Sequence, residues 1–317
     1  MFSVTKKYIP INLNNIKTCN LKRRKSKFTR NELGKPFSGG TFRKFLKSLP
    51  DVLASRDLRE IVSTIIKAKK RGRPVVLGMG AHPIKVGLTP IIIELIKKGI
   101  ITSVAMNGAC IIHDFELALV GYTSEDVDTE LCSGTFGMAE ETGRGINQAI
   151  QQGVSRGHGI GKSVGDFILR GKFPLRKLSI LAAASTYDIP ATVHVALGTD
   201  IIHMHPEVNG AAIGEGSMRD FRLFSSVISG LKGGIYINLG SAVIMPEVFL
   251  KAIALSRNLG YDVKNFTTVN MDFIQHYRSR ENVLRRPILS GGKSYAFTGH
   301  HEIMFPLLAA SILEEMK

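Results

Sequence analysis

The sequence of 317 residues has no tryptophan and only three cysteines. Cys19, Cys110 and Cys132 lie far apart without a CxxC pair, which argues against a disulfide framework and a cysteine-rich zinc site. The longest predominantly apolar runs, such as 91–96, are far shorter than the roughly 20 residues of a membrane span, and charges occupy the place of a signal peptide's apolar stretch. We therefore expect a cytoplasmic protein without a membrane partner.

Acidic residues are almost absent from the first fifty positions, although the chain carries a net charge of +16. The same segment contains many lysines and arginines, including the run 22–25. Such an arm either contacts RNA, lipid or an acidic protein, or it is a solvated tail. No RNA-binding motif with interleaved aromatics accompanies the charges, so we predict a solvated basic arm over residues 1–50. Nucleic-acid binding through this arm is kept as the last of three hypotheses.

The rest of the chain alternates between amphipathic stretches and short β-branched runs that end in glycine or a polar residue. This alternation is typical of a parallel sheet flanked by helices. We therefore predict one α/β domain over residues 51–317, with a Rossmann-like parallel sheet. Its strands are predicted at 74–80, 103–107, 191–196, 234–238 and 265–270. Ligands of such sheets bind beyond the carboxyl ends of the strands, so functional residues are expected in the turns that follow them.

Two local motifs resemble ligand sites without meeting their requirements. Residues 156–163, RGHGIGKS, resemble a phosphate-binding P-loop, but Arg156 stands where the first glycine is required, and a helical pattern precedes the motif. The histidine pairs in 203–205 and at 300–301 have no carboxylate at a recurring ligand spacing. We therefore predict neither triphosphate hydrolysis nor a metal site.

Glycines after the predicted strands are candidates for cofactor contact. Gly78 and Gly80 could let the backbone approach a dinucleotide, as could Asn107 and Gly108 after the second strand, although short turns need glycine in any case. Lys293 follows two glycines in a polar turn. A lysine near apolar surface loses ammonium character and can act as a nucleophile; the alternative is an ordinary surface lysine.

Five segments, read in order, resemble deoxyhypusine synthases over roughly residues 74–317. The segments of this chain are 188–200 (DIPA…ALGTD), 218–224 (MRDFRLF), 234–244 (GIYINLGSAVI), 286–293 (RP…SGGK) and 304–308 (MFPLL). In the same order, they resemble the family's segments IPVF…ALTDG, EDLRLIN, GMIILGGGVV, ARP…SWGK and VFPLL.

The resemblance implies NAD bound at the carboxyl edge of the sheet and a homotetramer with sites between subunits. It implies oxidation of a small-molecule amine, followed by transfer of a fragment through a lysine imine. Asp200 would accept hydrogen bonds from a cofactor ribose. Gly240 and Ser241 would admit the cofactor, Asn270 would hold its other end, and Lys293 would be the nucleophile.

Departures from the family pattern bear on the substrate. Residues 245–247, MPE, replace a base histidine, so Glu247, His300 or His301 would have to take the proton. Gly291 replaces a tryptophan that packs on the polyamine, and four arginines between 277 and 289 replace an acidic pair. The first hypothesis is thus an NAD-dependent transferase or dehydrogenase whose substrate is not spermidine. The second is a catalytically silent oligomer that binds NAD or another ligand.

Overall fold

The computed structural model describes residues 8–317, and within them six strands form one parallel sheet. The strands are β1 (Val75–Met79), β2 (Ser103–Asn107), β3 (Ala191–His194), β4 (Ile235–Leu239), β5 (Phe266–Asp272) and β6 (Gly292–Thr298). Their order is β3-β2-β1-β4-β5-β6, which is the order of doubly wound dinucleotide-binding sheets. The predicted Rossmann-like fold class is therefore confirmed, and the strand order reverses between β1 and β4, with β2 and β3 on one side and β5 and β6 on the other.

Helices connect the strands along the chain. Those before residue 135 are α1 (Phe42–Ser48), α2 (Leu53–Lys70), α3 (His82–Lys85), α4 (Thr89–Lys97), α5 (Gly108–Leu119) and α6 (Val127–Ser133). Those after it are α7 (Glu140–Ser155), α8 (Ile160–Arg170), α9 (Ile180–Thr186), α10 (Gly210–Ser229), α11 (Ile244–Asn258), α12 (Tyr277–Ser279) and α13 (His301–Glu315). The long connection from β2 to β3 contains α5 to α9 and supplies most of the walls of the site described below.

The sheet is buried on both faces because successive strand residues point to opposite sides. Leu77 and Met79 of β1 enter one apolar core, and Val76 enters the other. In the second core the ring of Tyr236 stacks on Phe249 with centroids 3.7 Å apart. With both faces covered, the carboxyl ends of the strands are the natural place for a ligand.

The basic segment before α1 is mostly exposed in its described part, residues 8–41. Its short helical turns span Leu21–Arg23 and Arg30–Glu32. Glu32 pairs with Arg56 at 2.6 Å, which ties the end of the segment to α2. The division into residues 1–50 and 51–317 stays a prediction. No helix among the described residues combines the length and apolar character needed to cross a membrane.

Candidate functional site

A cleft of about 830 Å³ opens beside the carboxyl ends of β2 and β3. One face of α5 contributes Ile112, His113 and Glu116 to its walls, and the turn after β3 contributes Asp200. The loop at 122–125 and the beginning of α7 supply further walls. The volume lies within the range of about 300–1,000 Å³ that is usual for small-molecule sites. We therefore take this cleft as the candidate site.

Asp200 lies against the first turn of α5. A Cβ atom added to Gly108 would overlap the Asp200 carboxylate, so this close approach requires glycine. Asn107 caps the same helix by accepting a hydrogen bond from the Cys110 N–H at 3.3 Å. Asp200 is 8% exposed, and its Oδ2 atom is buried without a hydrogen-bond partner. Burial raises the pKa of Asp200 to about 6, against the opposing effect of the Thr199 hydroxyl. The Asp200 side chain thus lines the cleft, and its unpaired oxygen is buried against Gly108, where the protein supplies no hydrogen-bond donor.

Two other buried aspartates have structural partners. Asp114 accepts hydrogen bonds from the Ser179 hydroxyl at 2.5 Å and from the Ile180 N–H at 2.6 Å, at the beginning of α9. Asp220 accepts from the N–H groups of Gly161 and Val193 at 2.9 and 2.8 Å. Burial raises the pKa of Asp114 to about 6 and that of Asp220 to about 7. Both carboxylates join elements of the fold, in contrast to Asp200 in the cleft wall.

Asp220 also gives a physical account of the P-loop-like segment 156–163. Helix α8 begins inside this segment at Ile160, and backbone N–H groups at a helix N-terminus normally attract anions. The Asp220 carboxylate already occupies this N-terminus, and a Cβ added to Gly159 would overlap it. The glycines therefore admit a protein carboxylate and leave no room there for a phosphate.

A chain of hydrogen bonds inside the cleft was not predicted from the sequence. His113 Nδ1 lies 2.6 Å from Thr123 Oγ1, and the same hydroxyl donates a short hydrogen bond to Glu116. Glu116 also accepts a hydrogen bond from the Thr142 hydroxyl at 3.0 Å. Burial and, to a lesser extent, the charge of Lys85 lower the pKa of His113 to about 4, so its imidazole is neutral near pH 7. The cleft thus contains a neutral imidazole connected to a carboxylate through one hydroxyl.

Gly80, Gly240 and Ser241 lie together where the strand order reverses. A Cβ added to Gly80 would overlap the Gly240 carbonyl, so the turns after β1 and β4 touch. A Cβ added to Gly240 would lie 2.8 Å from Cε1 of His301, which shows that this ring covers the turn. The Ser241 hydroxyl accepts from the Met245 N–H at 3.2 Å and so caps α11. Protein groups thus occupy the space beside Gly80 and Gly240, and cofactor contact by these three residues stays a prediction.

The two histidines before α13 differ in their surroundings. The His300 side chain is 71% exposed and lies 3.8 Å from Glu302, outside the cleft. The His301 side chain is 1% exposed, and its Nε2 lies 3.2 Å from the Met271 carbonyl. The Phe273 ring contacts both imidazoles, with centroids 6.4 and 5.7 Å away. The structure does not bring either proposed base to Asp200.

Gly78 and Asn270 are buried within the sheet, and their contact with a cofactor stays a prediction. The ring and hydroxyl of Tyr236 occupy the space where a Gly78 side chain would lie, so this glycine serves packing. Asn270 is fully buried and is hydrogen bonded to Asn238 and Gln275, each at 2.7 Å. Its amide is already engaged on both sides and joins β4 to the loop after β5.

Lys293 lies at the other end of the sheet, contrary to its predicted place in a flexible turn. It is the second residue of β6, and its Nζ pairs with Glu60 of α2 at 2.9 Å. This hydrogen bond raises the pKa of Lys293, which keeps it an ammonium group and not a free amine. Because a strand rises about 3.3 Å per residue, roughly 15 Å separates Lys293 from the carboxyl edge. Arg257 fixes the preceding loop through the Pro287 carbonyl and the Ser290 hydroxyl, at 2.9 and 2.6 Å.

Glu247, the other proposed base, lines a separate pocket of about 370 Å³. It forms ion pairs with Lys251 and Arg278 and accepts a hydrogen bond from Asn282 at 2.9 Å. The Lys251 hydrogen bond lowers the pKa of Glu247 most strongly, so the carboxylate is ionised and already paired. Among residues 8–317, no group of three or more histidine, cysteine, aspartate or glutamate side chains is arranged to hold a metal ion.

The strand order and the cleft beside its carboxyl ends define a Rossmann-like α/β protein. No family model matches the chain, and no curated protein matches it. Solved structures do share its fold. A protein assigned as a deoxyhypusine synthase from Entamoeba histolytica is 14% identical with a TM-score of 0.52, covering 90% of this chain and 97% of that one.

Two further structures extend this likeness in fold. An LOR/SDH protein from Methanococcus maripaludis S2 is 17% identical with a TM-score of 0.51, covering 95% of this chain and 74% of that one. AgrE, solved with ornithine and NAD+, is 15% identical with a TM-score of 0.50, covering 82% of this chain. This chain spans about a third of the length of AgrE, and likewise of ArgZ, an arginine dihydrolase from cyanobacteria. At these identities the likeness shows the fold alone.

Proposed function

We propose that this protein is an NAD-dependent dehydrogenase of the deoxyhypusine synthase-like group, which oxidises a small amine other than spermidine in the Asp200 cleft. The observation that carries the proposal is the Asp200 carboxylate in the wall of that cleft, packed against the first turn of α5 at Gly108. A Rossmann-ordered sheet and five segments that resemble deoxyhypusine synthases support it.

The residues around Asp200 suit a ribose. A carboxylate can accept hydrogen bonds from two adjacent hydroxyls, and the absence of a side chain at Gly108 lets Asp200 pack against the first turn of α5. A phosphate is disfavoured at the same point because like charges close together repel. Asp200 would therefore hold a ribose, and NAD when bound would supply the acceptor for the hydride that leaves the amine carbon.

The proposal leaves out transfer through Lys293. That step requires a free amine within reach of the oxidised substrate, whereas Lys293 is paired with Glu60 at the amino end of β6. An oxidation without covalent transfer needs only the cofactor, a substrate pocket and a group that accepts a proton. The homotetramer implied by the family resemblance is part of the proposal, and light scattering on the purified protein tests it.

A ligand-binding module without catalysis is the second candidate. The position of the His301 ring against the Gly240 turn favours this candidate. Dinucleotides usually bind where the strand order reverses, and this ring occupies that place. In that case NAD or another ligand would bind in the Asp200 cleft and no substrate would be oxidised.

Calorimetric titration with NAD+ tests the proposal on the intact protein, Asp200→Ala and Lys293→Ala. We expect micromolar binding by the intact protein and by Lys293→Ala, and at least a tenfold loss for Asp200→Ala, which is about 1.4 kcal/mol. Absence of binding by the intact protein would refute both the dehydrogenase and an NAD-binding module. A screen of small amines for formation of NADH then separates the two candidates, because only the enzyme produces it.

A further inference from the structure

We propose that His113 is the proton acceptor of the cleft, with its Nε2 atom directed to the ligand and its ring positioned by Thr123 and Glu116. The proposal rests on the function proposed for the same cleft and names the base that the sequence did not identify. Neither Glu247 nor His300 lines this cleft, whereas His113 does.

The hydrogen bonds determine which nitrogen of His113 carries the proton. The Thr123 hydroxyl donates its only hydrogen to Glu116, an acceptor when ionised. Its oxygen can therefore only accept at its second short contact, the one with His113 Nδ1 at 2.6 Å. Nδ1 must then carry the hydrogen. In the neutral ring this leaves a lone pair on Nε2, which is the nitrogen able to take a proton.

The carboxylate stabilises the product of proton transfer. When the ligand's N–H bond breaks, the electron pair stays on the ligand nitrogen and a new N–H bond forms at Nε2. Positive charge then lies on the imidazole. The Glu116 carboxylate, which is connected to the ring through the Thr123 hydroxyl, places a negative charge near it. The second hydrogen bond to Glu116, from Thr142 at 3.0 Å, fixes that carboxylate. A buried aspartate orients and stabilises a catalytic histidine in hydrolases in the same manner.

The surroundings of the imidazole keep it neutral until a ligand arrives. Burial and, to a lesser extent, the charge of Lys85 from α3 lower the pKa of His113 to about 4. Lys172, Glu125, Glu141 and Asp200 line the same cleft from other elements. Asp200 and His113 both offer acceptors, so the matching ligand class is a hydrogen-bond donor, an ammonium group in particular.

Nitrogen NMR of the full-length protein with ¹⁵N-labelled histidine tests the tautomer. The chain has nine histidines, so His113→Gln identifies the resonances. We expect a neutral ring with hydrogen on Nδ1 from about pH 8 down to about pH 5. Thr123→Val should remove this preference, whereas the matched control Thr142→Val should keep it, because Thr142 contacts Glu116 and not His113. A ring with hydrogen on Nε2, or one protonated near pH 7, would overturn the proposal.

A kinetic readout separates this proposal from the proposed function. With an amine found in the NADH screen, His113→Gln should lower kcat about 100-fold or more with little change in KM. Its calorimetric affinity for NAD+ should stay within about twofold of that of the intact protein. Turnover that survives in His113→Gln would contradict the role of His113 and leave the dehydrogenase standing. Failure of the intact protein to bind NAD+ would contradict the proposed function, and the NMR result would still decide the state of His113.

Discussion

Replacing Asp200 with asparagine should stabilise the ligand-free protein while it weakens cofactor binding. The rise of the Asp200 pKa from 3.8 to about 6 corresponds to about 3 kcal/mol lost from folding when the group is ionised. Asparagine avoids this loss, and no protein hydrogen bond to Oδ2 disappears with the charge. The new amide N–H costs about 1 kcal/mol if it is unpaired, which leaves a net gain of about 2 kcal/mol.

The gain should depend on pH with a defined sign. The folded pKa lies above the unfolded one, so the folded protein holds the proton more tightly and loses stability as pH rises from about 4 to about 6. Urea unfolding at about pH 4, 6 and 8 measures the difference in free energy of unfolding between Asp200→Asn and the intact protein. This difference should be smallest at low pH and constant above about pH 7. Equal stability of the two proteins at every pH would refute the argument that Asp200 is an unpaired buried carboxylate.

Asp114→Asn is the matched control, because burial raises the pKa of Asp114 to about 6 as well. Its Oδ2 atom, however, accepts from Ser179 and lies 3.3 Å from the Leu181 N–H. An amide nitrogen at that position would face a donor, so we expect no stabilisation of this variant at about pH 8. Stabilisation of both variants alike would mean that loss of charge alone accounts for the effect.

Two further predictions concern the sheet. Gly78→Ala should destabilise the protein by about 1–3 kcal/mol in urea unfolding, because its methyl group overlaps Tyr236. The double variant Gly78→Ala, Tyr236→Phe should recover part of that loss, and no recovery would place the conflict elsewhere. Lys293→Ala should leave the urea midpoint of unfolding almost unchanged, since it breaks an exposed ion pair with Glu60; a clear drop in the midpoint would contradict that assignment.

The fold could be predicted from the sequence because its strands are apolar and regularly spaced. The strand at 103–107 has the predicted bounds, and β1 and β4 differ from their predictions by one or two residues. Strand β6 was missed. It begins at Gly292, and the pair Gly291-Gly292 had suggested a turn; their φ values are +105° and +127°, and only Tyr295 and Phe297 are buried along the strand. The segment forms a strand because it pairs with β5. That partner is distant in sequence, so the local pattern does not reveal the strand.

The site could be predicted only where a turn follows a strand. Gly108 was selected for that reason and Asp200 from the resemblance to deoxyhypusine synthases, and the structure places them in contact. The His113 network joins residues from α5, a loop and α7, so no local spacing reveals it. The separation of three between His113 and Glu116 on one helix face was the available signal, and it is too common to assign a function.

The position of Lys293 has a consequence for the behaviour of the protein in concentrated solution. Strand β6 is at the edge of the sheet, where a row of backbone donors and acceptors is open to another molecule. A charged side chain at such an edge opposes the addition of a foreign strand and thus self-association into fibrous material. Shelf life and resistance to aggregation, more than turnover, are the properties through which this lysine should matter.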